Sequence, residues 1–228
     1  MTTLFHQPLN AASRFVRLTL SEYGQAVHLE DEKLWERRRE FLTLNPAATV
    51  PVLKTDEDLV LVGPGPIIGY LSETREDRGA PLMPADIAMR AEVRRLIDWA
   101  LGLLEQDVTA TLVHEKADKR RIPAELGGGA PDTAAMRVAR DNLEWHLDYL
   151  DHILASRDWL AGERMSLADL AFGAALSSLD YLGEVGWKNR SICKLWYARV
   201  KSRPSFAPLL EERLRGIIPP AHYDDPDF

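Results

Sequence analysis

The chain has 228 residues, 46% of them hydrophobic, so it is long enough to bury ordinary cores in two small domains or one large one. Its net charge of -7 disfavours unspecific binding to nucleic acid or to an anionic membrane. Cys193 is the only cysteine, which excludes an intramolecular disulfide, a cysteine cluster for a metal and a C-x-x-C redox pair.

The first 78 residues alternate between strand and helix signals. Thr2 to Phe5 predict a strand, and we interpret Ser13 as the N-cap of a helix that ends at Gly24. The further predicted elements are a strand at Val27 to Leu29, a charged helix at Glu32 to Leu42, strands at Val52 to Lys54 and Leu59 to Val62, and a helix at Ile67 to Glu73. This βαβαββα order is typical of a thioredoxin-like domain, which we place at residues 1–78.

Strand signals stop at a linker around residues 79–84, and helical periodicity follows it. Apolar residues recur at helical spacing from Met89 to Leu112, and Lys116 to Asp132 predict an exposed loop. A second long helix is predicted from about Ala134 to Leu154.

The last part of the helical region contains a strong helix-start signal. Ser166 to Asp169 form a capping-box pattern ahead of a nearly all-apolar, and therefore buried, helix at Leu170 to Leu182. We therefore predict an all-helical domain at residues 85–215, followed by an acidic and aromatic tail at residues 216–228.

Three motifs of the sequence occur together in a known family. Asn45 to Leu53 carry the pattern N-P-x-x-x-V-P-x-L, and Arg203-Pro204 follows Leu195 to Val200, which resemble the family's penultimate helix. With the capping box, they resemble the glutathione S-transferase family over roughly residues 3 to 210. The resemblance implies an α+β fold, in which a thioredoxin-like amino-terminal domain precedes an all-α carboxyl-terminal domain. It also implies a cis peptide bond at Val50-Pro51 and a symmetric homodimer.

The glutathione-binding motif of the family is altered in this chain. Where the family has an E-S pair, the sequence is Gly63-Pro64. The resemblance implies that the serine hydroxyl and its N–H hold the γ-glutamyl carboxylate of glutathione at a helix N-terminus. Proline has neither donor, so we expect glutathione to bind more weakly by several orders of magnitude. Val50 and Pro51, which offer backbone contacts to the cysteinyl part of glutathione in this family, are retained, but they serve the fold equally well.

The catalytic position of the family is altered too. Alignment on Arg14 places Asn10 where the family has a Ser, Cys or Tyr that hydrogen-bonds the glutathione thiolate. Ser13 is an alternative hydroxyl, although its place fits a helix N-cap better. We therefore predict no catalytic residue, no cofactor and no metal. The degraded glutathione site consists of Asn10, Ser13, Val50, Pro51, Gly63 and Pro64.

With this site degraded, the carboxyl-terminal tail becomes the candidate for partner binding. Its last residues combine two aromatic side chains with three aspartates, which suits a docking segment better than a frayed end. We expect the cores to close before Gly216, which leaves the tail available to a partner. The predicted contact residues are Tyr223, Asp224, Asp225, Asp227 and Phe228.

Trp35 marks a second candidate surface, because three arginines follow it at residues 37–39. Leu34 and Phe41 give the same predicted helix a buried side, which Trp35 could equally join. Both interpretations remain open.

The degraded site and the tail resemble those of family members that bind the bacterial division protein FtsZ. This resemblance implies a non-catalytic adaptor that binds FtsZ filaments, promotes their curvature and bundling, and supports constriction. Since the sequence has neither a signal-peptide pattern nor a run of eighteen apolar residues, we expect a cytoplasmic protein, recruited to the division site, without membrane insertion or nucleic-acid binding. Two alternatives remain: a divergent glutathione S-transferase that acts through Asn10 or Ser13, and a transcription-associated interaction protein of the stringent starvation type.

Overall fold

The computed structural model describes residues 1–74 and 81–225. Its amino-terminal elements are β1 (Thr3–His6), α1 (Ala11–Glu22), β2 (His28–Asp31), α2 (Arg39–Leu44), β3 (Val52–Lys54), β4 (Val60–Val62) and α3 (Pro64–Thr74). The strands form a mixed sheet in the order β2-β1-β3-β4, in which β1 and β2 are parallel and the other pairs are antiparallel. The predicted thioredoxin-like part is confirmed.

The following part of the chain is helical. Its first helical run extends from Ile87 to Arg121 and contains three π-helical segments, in which the helical turns are widened. The run consists of α4 (Ile87–Asp98), the π-helical segments Trp99–Leu103, Glu105–Thr109 and His114–Asp118, and the short helices α5 (Ala110–Val113) and α6 (Lys119–Arg121). The later helices are α7 (Thr133–Leu154), α8 (Leu167–Tyr181), α9 (Ser191–Lys201) and α10 (Ala207–Leu210).

The buried helix α8 lies at the centre of the molecule. All of its residues are buried, as its apolar sequence predicts, and both α1 and α4 pack against it. The predicted capping box is present: the Asp169 carboxylate accepts a hydrogen bond from the Ser166 N–H at 2.8 Å, and the Ser166 hydroxyl accepts one from the Ala168 N–H at 3.3 Å. One contiguous apolar core therefore extends from Leu4 in the sheet to Tyr223 near the carboxyl end.

The start of α1 differs from the prediction. Asn10, with an extended backbone, is the N-cap, and its side-chain oxygen accepts a hydrogen bond from the Ser13 N–H at 2.8 Å. Ser13 lies inside the first turn and is fully buried, and its hydroxyl accepts a hydrogen bond from the Gln7 N–H. The N-cap role assigned to Ser13 was therefore wrong, because both residue types can cap and only the backbone geometry distinguishes them.

The predicted charged helix at Glu32 to Leu42 is interrupted. A 3-10 turn at Leu34–Glu36 precedes α2, and Arg37 between them has a left-handed backbone with φ of 46°. Arg38 pairs with the Glu32 carboxylate, which is almost completely buried, and with Glu30. The ion pairs of Arg38 with Glu30 and Glu32 are favoured over a continuous helix through this position.

The exposed loop predicted at Lys116 to Asp132 begins later than expected. Helical backbone continues to Arg121, because Ala117 is buried against the core and Lys119 pairs with Glu115 one turn earlier. Pro123 then lies at the N-terminal edge of the 3-10 turn Ala124–Leu126.

The predicted linker at residues 79–84 lies partly outside the described residues. The expectation that the cores close before Gly216 is wrong, since Ile217 and Tyr223 both belong to the main core. Among the described residues, no helix combines the length and apolarity that crossing a membrane requires.

Candidate functional sites in the cleft and at the carboxyl end

Asn10, which the alignment on Arg14 predicts to take the place of the family's catalytic hydroxyl or thiol, lies at the amino-terminal end of α1. Its side-chain oxygen is engaged in capping that helix. The Ser13 hydroxyl is buried and bonded to the Gln7 N–H, so it does not face a substrate. Neither residue presents an exposed nucleophile.

The cis-proline loop is retained in the structure. The Val50-Pro51 bond is cis, as predicted, and both residues are buried. The Pro51 carbonyl accepts a hydrogen bond from the Gly63 N–H at 2.9 Å, which joins this loop to the end of β4. These residues hold the sheet together whether or not a ligand is present.

The start of α3 lacks the donors that an anion needs. An α-helix normally leaves the N–H groups of its first turn free. Here that turn begins Pro64-Gly65-Pro66, and since proline has no N–H, Gly65 supplies the remaining donor. Gly63, immediately before it, has a φ of +84°, where any other residue is strained. Compared with the E-S motif of the family, the start of α3 therefore has fewer donors for an anion, both in its backbone and in its side chains.

His6 is the last residue of β1 and is buried. Burial, together with the positive charge of Arg17, lowers the pKa of the imidazole to about 3. Its Nδ1 has no hydrogen-bond partner among the described residues. A histidine with this pKa is neutral at physiological pH and is a weak base, so it is not suited to general acid–base catalysis.

A second cluster joins α1 to the carboxyl-terminal segment, by which we mean residues 212–225. Arg14 is fully buried and donates hydrogen bonds to the Pro8 carbonyl at 2.6 Å, the Ser177 hydroxyl at 2.8 Å and the Tyr223 hydroxyl at 3.1 Å. The Tyr223 hydroxyl in turn donates to the Leu209 carbonyl at 3.0 Å. The Arg14 cluster thus fixes the segment to both halves of the protein.

A third cluster, around Asp180 and Lys201, holds the same segment from the other side. The Lys201 ammonium is buried and donates to the carbonyls of His222 at 2.8 Å and Asp225 at 2.7 Å. Asp180 is also buried; it accepts a hydrogen bond from the Trp187 indole N–H at 2.8 Å and lies 2.9 Å from the His222 ring. Buried charges need such partners, and here the partners come from the carboxyl end.

These contacts correct the predicted partner site. Tyr223 is 0% exposed and packs its ring edge-to-face on Tyr181, so it cannot be a contact residue for a partner. Asp224 is exposed and pairs with Arg213, and Asp225 is exposed with its carbonyl bound to Lys201. The predicted contacts at residues 227 and 228 lie outside the described residues.

Trp35 is half-buried in the 3-10 turn before α2. Its ring lies 5.4 Å from the Arg121 guanidinium of the helical part, in a cation–π contact, and Arg121 also pairs with Asp31. Arg38 is engaged with Glu30 and Glu32. Trp35 therefore joins the two halves of the molecule, and its exposed part remains a candidate surface.

Sequence reasoning missed a partly exposed aromatic cluster, which consists of Trp99, Trp145 and Tyr149. The Trp99 ring stacks on Tyr149 at 4.1 Å and on Trp145 at 5.5 Å, and Trp145 is 54% exposed. The spacing of Trp145 and Tyr149 on one helix face was visible in the sequence. The third ring comes from a different helix, which the periodicity of α7 alone does not show.

Within residues 1–74 and 81–225, no three histidine, cysteine or acidic side chains are grouped so that they could hold a metal ion. Cys193 is buried, and burial raises the pKa of its thiol, which makes it a poor nucleophile.

Comparison with known proteins agrees with this description. Family models for the "Glutathione S-transferase, N-terminal domain" and "Glutathione S-transferase, C-terminal domain" match residues 4–79 and 130–213. The chain is 44% identical to FtsZ-localized protein A of Caulobacter vibrioides, over 99% of this chain and 98% of that protein.

Solved structures cover the whole chain. The structure of FzlA from C. crescentus has 45% identity and a TM-score of 0.92, covering 100% of this chain and 99% of the other. A crystal structure of a glutathione S-transferase from Sinorhizobium meliloti 1021 has 50% identity and a TM-score of 0.96, with both chains covered completely. On the evidence of both domain matches and these relatives, the chain belongs to the glutathione S-transferase family.

Proposed function

We propose that this protein is a non-catalytic adaptor that binds FtsZ filaments, promotes their curvature and bundling, and supports constriction in bacterial cell division. The observation that carries the proposal is the 44% identity to FtsZ-localized protein A, which extends over nearly the whole of both chains. The adaptor acts in the cytoplasm, where it is recruited to the division site.

The geometry of the cleft supports a role without catalysis. Asn10 replaces the catalytic hydroxyl or thiol and caps α1, and the start of α3 has lost donors at Pro64 and Pro66. A carboxylate there loses charge-assisted hydrogen bonds of roughly 1.5 to 3 kcal/mol each.

The exposed part of the carboxyl-terminal segment is the proposed contact surface for FtsZ. Asp224 and Asp225 supply negative charge, and Ile218, which is 93% exposed, supplies an apolar side chain. Asp227 and Phe228, which lie outside the described residues, belong to the proposed contact on the evidence of their residue types alone. Such a contact combines an apolar anchor with salt-sensitive charge pairing.

A homodimer gives the adaptor two filament-binding surfaces. In the aromatic cluster of Trp99, Trp145 and Tyr149, the Trp145 side chain is 54% exposed, and a second copy of the chain would cover it. Two identical surfaces in one particle can bridge neighbouring filaments, which accounts for bundling by multivalent binding.

Co-sedimentation with FtsZ filaments tests the adaptor proposal. We expect the intact protein to pellet with filaments and Ile218→Asp to bind about tenfold more weakly, a loss of ~1.4 kcal/mol. The matched control is Ile87→Asp, because Ile87 is also a highly exposed isoleucine (83%) but belongs to the start of α4. Asp227→Lys and truncation after Asp225 are expected to weaken binding while thermal stability stays unchanged.

The results of the co-sedimentation experiment show which of the two candidate surfaces binds the filament. If the intact protein fails to pellet with filaments, the adaptor proposal is wrong. If it pellets and all the carboxyl-terminal variants bind equally well, the contact lies elsewhere, and Trp35→Ala then tests the second surface. Co-purification with RNA polymerase instead of FtsZ would favour the transcription-associated alternative.

A transferase remains the second candidate, because a highly similar solved structure is that of a protein called a glutathione S-transferase. Its test is conjugation of glutathione to a chloronitrobenzene, followed at 340 nm. Turnover above the uncatalysed rate that is lost in Asn10→Ala would favour the enzyme over the adaptor.

A further inference from the structure

One edge of the sheet is open. β2 is an edge strand in the order β2-β1-β3-β4 and pairs with β1. On that side the His28 N–H donates to the Thr2 carbonyl at 2.9 Å. Since alternate residues of a strand direct their N–H and C=O groups to opposite edges, those of Leu29 and Asp31 point away from β1. They form no hydrogen bond within residues 1–74 and 81–225.

A mainly apolar groove of about 280 Å³ lies beside this edge. Leu29, which is 38% exposed, lines it together with Leu20 of α1 and with Pro208 and Leu209 of α10. In the register of the sheet Leu29 lies next to Leu4 of the main core, so its side chain points to the same face of the sheet. A strand added outside β2 would therefore place a side chain of this face in the groove.

The opposite face of the edge is acidic. The Glu30 carboxylate pairs with Arg38, which also pairs with Glu32, so one guanidinium group is shared by two carboxylates. Asp31 has a partner of its own in Arg121. These carboxylates carry one negative charge more than the two arginines balance, which favours a basic side chain beside Glu30.

The same charges disfavour a second copy of this chain as the occupant of the edge. Pairing of two β2 edges would bring Glu30 and Asp31 of one copy against the same residues of the other, and like charges on neighbouring strands are destabilising. A basic segment of a different protein meets no such repulsion.

We propose that the outer edge of β2 binds an extended segment of another protein, which joins the sheet as a fifth strand, with an apolar side chain in the groove and a lysine or arginine beside Glu30. Backbone hydrogen bonds to Leu29 and Asp31 supply affinity in this mode of binding, and the alternating side chains of the segment supply specificity. The proposal does not depend on FtsZ binding, since β2 lies outside the carboxyl-terminal segment.

A short labelled peptide tests this proposal. The probe is fluorescein-labelled Thr-Lys-Val-Lys-Val-Thr, and fluorescence anisotropy follows its binding. We expect saturable binding at one site per chain, about tenfold weaker when both lysines of the peptide are replaced by glutamate. With the peptide bound, the amides of Leu29 and Asp31 should exchange hydrogen about tenfold more slowly, whereas the His28 amide, already bonded to Thr2, should change little.

Backbone methylation separates strand addition from attraction by side chains alone. One further peptide carries N-methyl groups on both valines and another on both lysines. Because alternate amides point to opposite edges of a strand, only one of these two sets can face β2. We expect one methylated peptide to bind about tenfold more weakly and the other to bind like the parent. Equal affinities of the two methylated peptides would overturn the proposal.

Matched variants locate the site. Leu29→Lys removes an apolar side chain from the groove and repels the basic peptide, so it should weaken binding about tenfold. Leu59→Lys is the control, since it makes the same change at a leucine of similar exposure (41%) just before β4. Absence of saturable binding to the wild-type protein, or equal binding by the wild type and Leu29→Lys, would also contradict the proposal.

Discussion

Ionisable side chains in the core of this protein fix its carboxyl end. Arg14, Asp180 and Lys201 are buried, and each finds hydrogen-bond partners in or next to residues 209–225. Burying a charge is costly, and removing one partner of a buried charge costs more than the pair contributes when intact. The carboxyl-terminal segment is therefore required for the stability of these buried charges.

Tyr223 provides the test at the level of one residue. Tyr223→Phe removes the partner of a buried Arg14 donor and should lower the free energy of unfolding by about 1 to 3 kcal/mol. Tyr223→Ala also leaves a cavity and should cost about 3 to 5 kcal/mol. Urea unfolding followed by circular dichroism measures both.

Asp224→Ala is the control, with an expected change within about 0.5 kcal/mol, because its ion pair with Arg213 is exposed. Equal stability of Tyr223→Ala and wild type would mean that the segment detaches in solution.

Glu105 predicts a pH dependence of stability. Burial, with a smaller contribution from the Asp118 carboxylate, raises the pKa of the Glu105 carboxyl from 4.5 to about 7, and its Oε2 has no hydrogen-bond partner among the described residues. Between these pH values the folded state binds more protons than the unfolded state, so the free energy of unfolding falls as pH rises through this window. Across this window the titration of Glu105 lowers the free energy of unfolding by an amount on the order of 3 kcal/mol.

Glu105→Gln isolates this effect. The variant should be more stable than the wild type at pH 8, and the difference should shrink towards pH 5 as the wild-type carboxyl becomes protonated. Urea midpoints measured from pH 5 to pH 8 give this difference directly. A difference that does not change with pH would show that Glu105 does not titrate in this range.

At the scale of elements, the start of α3 decides whether the cleft still holds glutathione. Because Pro64 and Pro66 provide no N–H, we expect calorimetry to show a dissociation constant for glutathione above about 1 mM. A micromolar value would contradict this and favour the transferase alternative. Pro64→Ser restores one N–H and a hydroxyl and should give a measurable gain. Gly63→Glu is not a useful partner for that variant, since its φ of +84° strains any side chain.

At the scale of the whole molecule, the exposed aromatic cluster predicts the oligomeric state. Light scattering should give twice the chain mass of 25.7 kDa, and Trp145→Glu should shift the protein to the single-chain mass, because it places a charge in an apolar interface. Leu195→Glu is the control, since Leu195 is also an exposed apolar side chain (69%) but belongs to α9, which carries none of the three rings. If the wild-type protein is a monomer at micromolar concentration, the dimer is ruled out. Filament bundling could then not be explained by two binding surfaces in one particle.

Much of the architecture was predictable because its signals are local. The cis proline at Pro51 and the capping box at Ser166 were recognised from short motifs, and the buried helix α8 from its apolar composition. Helix ends were less certain. Asn10 and Ser13 both suit an N-cap, and the ion pairs of Arg38 interrupt a helix that periodicity alone would continue.

The family resemblance, the fold class and the loss of donors at Gly63-Pro64 can be read from the amino-acid sequence, because each depends on residue types within a few positions of one another. The role of the carboxyl end depends instead on contacts between distant parts of the chain. Arg14 and Tyr223 are hydrogen-bonded although they are 209 positions apart, so no local pattern shows that this tyrosine belongs to the core. The composition of the last residues is equally compatible with an exposed docking tail. The burial of Tyr223 provides a partner for the buried Arg14, and the carbonyls of His222 and Asp225 provide partners for the buried Lys201, which becomes visible only when the helices are packed.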